Sequence, residues 1–399
     1  MKLDHDAEIG RFRAEVRSFI EAHRPVGQAL HKAGVRAPDP DDIPALRKWT
    51  AQVFDAGYFG GDWPVEWGGT GAQDPLRATV VGEEIARARV PAPLGAGLLA
   101  AMSLIHFGRQ EQKQRYLPRI RTGEDIWCQL FSEPGAGSDL ASLQTRARRD
   151  GDCFVINGQK VWTTNGHHAE RGYLLARTNP DVPKHAGITA FAIDMDSSGI
   201  DVRPLREITG TSDFNEVFFD DVRIPAENVI GAVDRGWEVA TTSLVHERSG
   251  VGTAGVVLLR AVTDAARMAG ILHRGERPAI ENDAIRQVLG RLYAAARVNI
   301  LLGQYNLSRA LTGSADAGDA PLAKILYSET NLAVCEFGLG LQGTDSLLTE
   351  DDPKAIGNGW WQDAFLYARA LTIAGGANEV LRNIIAERAL GLPKEPRVS

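Results

Sequence analysis

Leu130-Phe131-Ser132-Glu133-Pro134-Gly135-Ala136-Gly137-Ser138-Asp139-Leu140 stands where the texture of this chain turns from helical to strand-like. Its two glycines, two apart and followed by the Ser138 hydroxyl, let successive backbone N–H groups converge on an anion such as a pyrophosphate. Taken alone, the same residues make any Gly-Pro turn. The residues after it read as β structure. Residues 153–162 predict a strand, a turn at Asn157-Gly158 and a returning strand. Residues 172–176, 188–193 and 217–219 add short β segments separated by turn residues. Residues 127–236 are therefore expected to form an antiparallel β unit, a barrel or a sandwich.

Outward from that unit the spacing is helical on both sides. In residues 1–126, Ile9, Phe12, Val16, Phe19 and Ile20 make an i, i+3, i+4, i+7 stripe. A loop rich in Trp, Pro and Gly interrupts the pattern at Trp63-Pro64-Val65-Glu66-Trp67-Gly68-Gly69-Thr70-Gly71, and helix resumes through Gln110–Arg121. In residues 237–399 a nearly unbroken helical run covers 237–270, followed by 282–311 and 320–341. A last helix, 378–390, stops at Gly391-Leu392-Pro393. The expected class is α+β in three parts: an N-terminal helical domain, a middle antiparallel β domain and a C-terminal four-helix bundle.

The 399 residues suffice for two or three packed units, and 44% hydrophobic with 24% charged residues is ordinary globular composition. A formal charge of −7 without a basic run argues against nucleic acid or anionic membrane as a partner. Cys128, Cys153 and Cys335 are odd in number and widely spaced, which predicts reduced thiols, no metal site and a cytoplasmic protein. Met1-Lys2-Leu3-Asp4-His5-Asp6 holds no signal-like apolar run, and no stretch nears the roughly 18 apolar residues of a membrane span.

Trp162-Thr163-Thr164-Asn165-Gly166 closes the predicted hairpin. A Trp beside two Thr can lay its indole against a planar ring while a hydroxyl bonds a ring nitrogen. A core Trp among β-branched strand residues has the same sequence.

Together the 130–140 segment, Trp162-Thr163-Thr164, the Trp63–Gly71 loop, Phe214-Asn215-Glu216-Val217-Phe218-Phe219-Asp220-Asp221-Val222 and Gly375-Gly376-Ala377-Asn378-Glu379-Val380-Leu381-Arg382-Asn383-Ile384-Ile385-Ala386-Glu387-Arg388 resemble, in order and spacing, the acyl-CoA dehydrogenase family. The resemblance covers nearly the whole chain and implies the same three-part fold, non-covalent FAD and an acyl-CoA substrate. Carried over by position, Gln129, Phe131, Ser132, Gly137 and Ser138 line the flavin and its pyrophosphate. Trp162 packs on the isoalloxazine and Thr164 bonds flavin N5. Gly343, Asn378 and Glu379 join the cofactor set; the stretch containing Gly343 lies in the family near a neighbouring subunit's flavin. Ser138, Arg248 and Gly376 fall at substrate positions.

Removing an α proton from a thioester takes a carboxylate in a water-poor pocket, where desolvation strengthens it as a base. Many family members carry that Glu where this chain has Gly375. Others carry it before an Arg on the first long helix of the C-terminal bundle, which matches Glu247 in Leu244-Val245-His246-Glu247-Arg248. Apolar Val239, Leu244 and Val251 at helical spacing turn Glu247 inward; the plain alternative is a surface carboxylate or an ion pair with Arg248. The resemblance further implies that the Gly375 N–H and a flavin ribityl hydroxyl polarise the thioester carbonyl, and that electron-transfer flavoprotein takes the electrons. Two alternatives stay open: an oxygen-using relative (an acyl-CoA oxidase or flavin monooxygenase), and a subunit with no working site of its own.

The segment Arg-x-x-Phe-Gly, with which homotetrameric members hold an adjacent subunit's FAD, is absent from His273-Arg274-Gly275-Glu276-Arg277-Pro278-Ala279-Ile280-Glu281-Asn282-Asp283. The chain is thus a homo-oligomer that holds the flavin differently, or half of an α2β2 heterotetramer of the kind that acts on bulky, steroid-like thioesters. Gly338-Leu339-Gly340-Leu341-Gln342-Gly343, with Asp363 some twenty residues on, fits a dinucleotide fingerprint. Its context does not: the preceding residues read as helix, and Asp351-Asp352-Pro353 and Gly357-Asn358-Gly359 break the crossover helix. No NAD site is expected there.

Overall fold

Ile9, Val16 and Ile20 are buried along one face of α1 (Ala7–His23), with Phe12 and Phe19 half-buried beside them, as the stripe requires. They pack against α2 (Ile43–Asp55) and α3 (Pro75–Ala88) through Trp49, Val53, Val81 and Ile85. Two further helices, α4 (Gly95–Phe107) and α5 (Gln110–Arg121), complete the N-terminal set. The structure is a computed structural model describing residues 7–25, 42–71, 74–93, 95–249, 253–350 and 352–394; for 244–249 it describes the helical backbone alone. The N-terminal hexapeptide, Val251, Asp351 and the side chains of Leu244, Val245, His246, Glu247 and Arg248 lie outside the described part.

Eight strands form one sheet: β1 (Trp127–Leu130), β2 (Arg146–Asp150), β3 (Cys153–Lys160), β4 (Arg171–Arg177), β5 (Ile188–Asp194), β6 (Ile200–Leu205), β7 (Phe214–Pro225) and β8 (Val229–Ile230). Their order is β6-β7-β3-β2-β4-β5-β8, with β1 beside β4. The pairing is antiparallel except that β1 runs parallel to β4 and β2 meets β4 in parallel at Arg146–Arg177, a mixed pattern the sequence did not suggest. The sheet folds over its own core. Phe154 and Phe191, on strands that are not neighbours, meet edge to face with ring centroids 5.2 Å apart.

The hairpin is displaced from the expected Asn157-Gly158. It turns through Gly151-Asp152, with Gly151 at φ +62°, and pairs Asp150 with Cys153. β3 continues straight through Asn157-Gly158, where its register against β7 slips. A Cβ on Gly158 would sit 2.7 Å from the Thr145 Cα. The glycine therefore marks a close backbone approach at a bulge, the other common meaning of a strand glycine.

Beyond the sheet, α6 (Gly236–Ser249) and α7 (Ala254–Ile271) replace the single run expected over 237–270. A bundle of α7, α8 (Asp283–Leu311), α9 (Asp319–Gln342) and α10 (Trp360–Leu371) buries Leu258, Val262, Leu292, Ala296, Val334 and Trp361. Asn282 caps α8 by accepting the Ala284 and Ile285 N–H groups. The last helix, α11 (Asn378–Ile384), passes into a π turn, Ile385–Ala389, ahead of Gly391. The helix–sheet–helix order and the four-helix bundle are thus as the sequence predicts.

Candidate active site

Two segments some thirty residues apart in sequence are tied together at the end of β1. Val161 N–H donates to the Ser132 carbonyl at 2.9 Å, and the Lys160 ammonium donates to the Phe131 carbonyl at 2.9 Å. Lys160 is fully buried and also donates to Glu133 Oε1 at 2.8 Å. Glu133 in turn accepts the Gln144 N–H at 2.6 Å and the Thr145 N–H at 2.9 Å, so one carboxylate closes both ends of the 132–145 loop. Burial pushes the Glu133 carboxyl up, but Lys160 and the Gln144 and Thr145 donors outweigh it and leave it below the carboxylate range. Burial lowers Lys160 to about 8, with the Glu133 carboxylate pulling the other way. On that frame Phe131 is buried, Ser132 and Gln129 are half-buried, and Gly137 and Ser138 face solvent.

Trp162, directly after the brace, is not a core residue. It is 60% exposed and holds φ +60°, a left-handed backbone that non-glycine residues seldom adopt. Phe214 meets its ring edge-on, with centroids 5.9 Å apart. Thr163 beneath it is buried and exchanges backbone bonds with Asn215 at 3.1 and 3.0 Å, and Asn215 Nδ2 donates to the same Thr163 carbonyl at 2.9 Å. The Thr163 hydroxyl is buried without a partner. A costly backbone here presents a large aromatic ring and a half-buried Thr164 outward, and strain of this kind concentrates at ligand sites. The motifs at 130–140, 162–164 and 214–222 therefore converge.

Tyr173 on β4 joins this loop to the helix that carries Glu247. Its ring meets Phe131 edge to face at 4.9 Å, and its buried hydroxyl lies 2.8 Å from Ser103 Oγ on α4. Burial pushes that hydroxyl up to about 12, with Ser103 and Ser243 hydrogen-bonding it. Ser243 is one turn before Glu247 on α6, whose Val239 and Ala240 are buried against the same cluster. No role falls to Tyr173, Lys160 or Glu133 from the sequence alone; Lys160 closes a strand whose last four residues, Asn157-Gly158-Gln159-Lys160, are without a large apolar side chain.

The second group of expected residues is built on α9 and α11. Gly375 and Gly376 hold φ +66° and +100°, and a Cβ on Gly375 would meet nothing within 4 Å, so the position is open. The Lys324 ammonium donates to the Gly376 carbonyl at 2.7 Å and to Asn378 Oδ1 at 2.8 Å, and the Ser328 hydroxyl donates to the same Asn378 Oδ1 at 3.1 Å. Asn378 is buried, whereas Glu379 is exposed. Gly343 ends α9 at φ +61°. Gly338 is helical, and a Cβ there would meet the Trp361 ring at 2.1 Å, so this glycine serves packing of α9 on α10, and no strand precedes the G-x-G-x-x-G run.

Among the described residues no cluster of His, Cys, Asp or Glu could hold a metal, the three cysteines are free, and no helix is long and apolar enough to cross a membrane.

Comparison with known proteins agrees along the whole length. Residues 6–124, 128–222 and 234–390 match, in turn, the profiles described as the N-terminal, middle and C-terminal domains of acyl-CoA dehydrogenase. Acyl-CoA dehydrogenase IpdE1 of Mycobacterium tuberculosis is 38% identical over 98% of this chain and 99% of its own. Among solved structures, the Tcur3481-Tcur3483 steroid ACAD superposes with a TM-score of 0.85 at 31% identity, covering 99% of this chain and 100% of that one. The ChsE4-ChsE5 complex from Mycobacterium tuberculosis follows at 0.83 and 30%, covering 99% and 100%.

Proposed function

The chain belongs to the acyl-CoA dehydrogenase family, flavin-dependent oxidoreductases that act on CH–CH groups, and we propose that it desaturates an acyl-CoA thioester between Cα and Cβ with Glu247 as the base. The observation that carries this is the convergence of the braced 132–145 loop with Trp162, exposed on a left-handed backbone. Those residues fit FAD: a ring laid outward by strain, an orphaned Thr163 hydroxyl beneath it, and solvent-facing Gly137 and Ser138 at the bend. When bound, the flavin supplies the acceptor for the β hydride.

Gln129, Phe131, Ser132, Gly137 and Ser138 hold the cofactor, Trp162 covers its ring system and Thr164 donates to it. Glu247 holds the α proton after abstraction. The Gly375 N–H stabilises charge developing on the thioester oxygen, and Ser138, Arg248 and Gly376 contact the substrate. Gly343, Asn378 and Glu379 serve the cofactor of an adjacent subunit, with Lys324 fixing Gly376 and Asn378. The units responsible are residues 1–126, 127–236 and 237–399. A bulky, steroid-like acyl group and an α2β2 assembly are favoured by the missing Arg-x-x-Phe-Gly segment and by likeness to a steroid enzyme and a two-chain complex. Electrons pass to electron-transfer flavoprotein in the cytoplasm.

The test is Glu247→Gln, which keeps shape and removes the basic carboxylate. Bleaching of the flavin by substrate should slow by about 10²–10⁴-fold, the usual worth of a positioned base. FAD content and melting temperature should stay at wild-type values. Near wild-type bleaching would overturn the assignment of Glu247.

A further inference from the structure

Seven arginines crowd the seam where α1 and α3 meet α7 and α8, and three carboxylates answer them. Arg13 bonds Glu83 at 2.6 Å and Glu84 at 2.8 Å; Arg17 and Arg87 share the same Glu84 at 3.0 and 3.3 Å. Arg89 and Arg267 share Asp264, Arg267 at 3.0 Å. Arg260 and Arg297 pair with no carboxylate among the described residues; Arg260 donates to the Ala86 carbonyl. The seam thus carries four more positive than negative charges, in a chain whose formal charge is −7.

A cavity of about 480 Å³ opens at this seam, a volume within the range of small-ligand sites. Arg13, Arg87, Arg260, Arg267 and Arg297 line it, with Glu83 as its one acidic residue, and Val256, Leu259 and Ile300 give it an apolar wall. None of the residues placed at the flavin loop or on α11 lies in it. Burial, then repulsion from Arg89, lowers the Arg260 guanidinium to about 10, the mark of a desolvated cation short of a counter-charge. A guanidinium fork matches the paired oxygens of a carboxylate or phosphate. The apolar wall suits a ligand whose other end is hydrocarbon.

We propose that this cavity binds a small amphiphilic anion, a carboxylate or phosphate on an apolar body, anchored by Arg260 of α7 and Arg297 of α8. Because Arg13 and Arg87 come from the N-terminal helices, the bound anion bridges those helices to the bundle and stabilises the seam.

The experiment titrates the full-length, FAD-loaded protein with octanoate and octyl phosphate by calorimetry and by thermal shift, with octanol and inorganic phosphate alongside. At least one octyl anion should bind and raise the melting temperature, the tighter of the two identifying the head group. Octanol should not bind, and inorganic phosphate should bind more weakly. Arg297→Gln, at an exposed residue without an ion partner, should weaken the octyl anion roughly 10- to 100-fold while leaving the fold intact. Arg260→Met should do the same. Binding unchanged in both variants would place the ligand elsewhere and overturn the proposal, as would equal binding of octanol, or the absence of binding by either octyl anion.

Discussion

Lys160→Met tests whether the buried pair organises the cofactor loop. Met keeps most of the aliphatic stem, so little cavity is created. What is lost is the ammonium that donates to Phe131 and Glu133 at 2.9 and 2.8 Å. Taking one partner from a buried ion pair costs about 3–5 kcal/mol, because the other charge stays buried and uncompensated. Here Glu133 retains the Gln144 and Thr145 amides at 2.6 and 2.9 Å, which places the cost near the lower end, about 3 kcal/mol. Urea unfolding of wild type and variant gives that difference, and FAD retention on a desalting column gives its consequence at the site. Both should fall, since the Ser132 carbonyl bonded by Val161 N–H moves with the same loop. Adding Glu133→Gln to Lys160→Met should restore roughly 1–3 kcal/mol, the coupling expected of neighbours in one network. A Lys160→Met protein within about 1 kcal/mol of wild type that keeps its FAD would refute the brace, since a buried unpaired carboxylate cannot cost so little.

Trp162→Ala should shed FAD yet leave the unfolding free energy from urea titration within about 0.5 kcal/mol of wild type, as expected of an exposed side chain; early melting with normal FAD content would return Trp162 to the core. Glu133→Gln should flatten the acid limb of the stability profile. The folded carboxyl lies below its ordinary value of 4.5, so its contribution is complete above that value and lost as pH falls through the lowered one; an unchanged acid limb by circular dichroism counts against it. Gly338→Ala gains up to about 1 kcal/mol of helix propensity but drives a methyl into Trp361. Overpacking at about 1–3 kcal/mol should win, seen as a lower melting temperature with flavin reduction intact.

What the sequence conveyed and what it withheld divide along contact range. The α1 stripe and the helical run over 282–311 are local signals, and the elements they predict are present. Asn157-Gly158 was a local signal with two meanings. The one realised, a bulge against Thr145, depends on β7 arriving from sixty residues away, where Asn157 Nδ2 bonds Asp221 at 2.9 Å. Likewise no periodicity distinguishes an exposed Trp from a core Trp. That difference lies in the left-handed backbone at Trp162 and in Asn215 fixing Thr163 from the next sheet strand.

The segments that converge at the candidate site were therefore legible as motifs, while the contacts that hold them together were not. Glu133, Lys160 and Tyr173 make no chemical claim by type and spacing, yet they connect the parts the motifs name. Glu133 closes the loop, Lys160 ties it to the strand leading to Trp162, and Tyr173 touches Phe131 on one side and bonds Ser103 and Ser243 on the other. Each is buried, and each holds a polar group that would be costly to leave unmatched. Burial of that kind makes the arrangement nearly all-or-none: a loop displaced by an ångström breaks several bonds at once. On the proposed reading, a hydride acceptor and a base must hold one substrate in a near-attack geometry, where a misplacement of about 1 Å is costly. The loop bearing Ser132 and the helix bearing Glu247 come from opposite ends of the sheet region, and Tyr173 is one of the buried residues packed between them, with Phe131, Val239 and Ala240 in the same cluster.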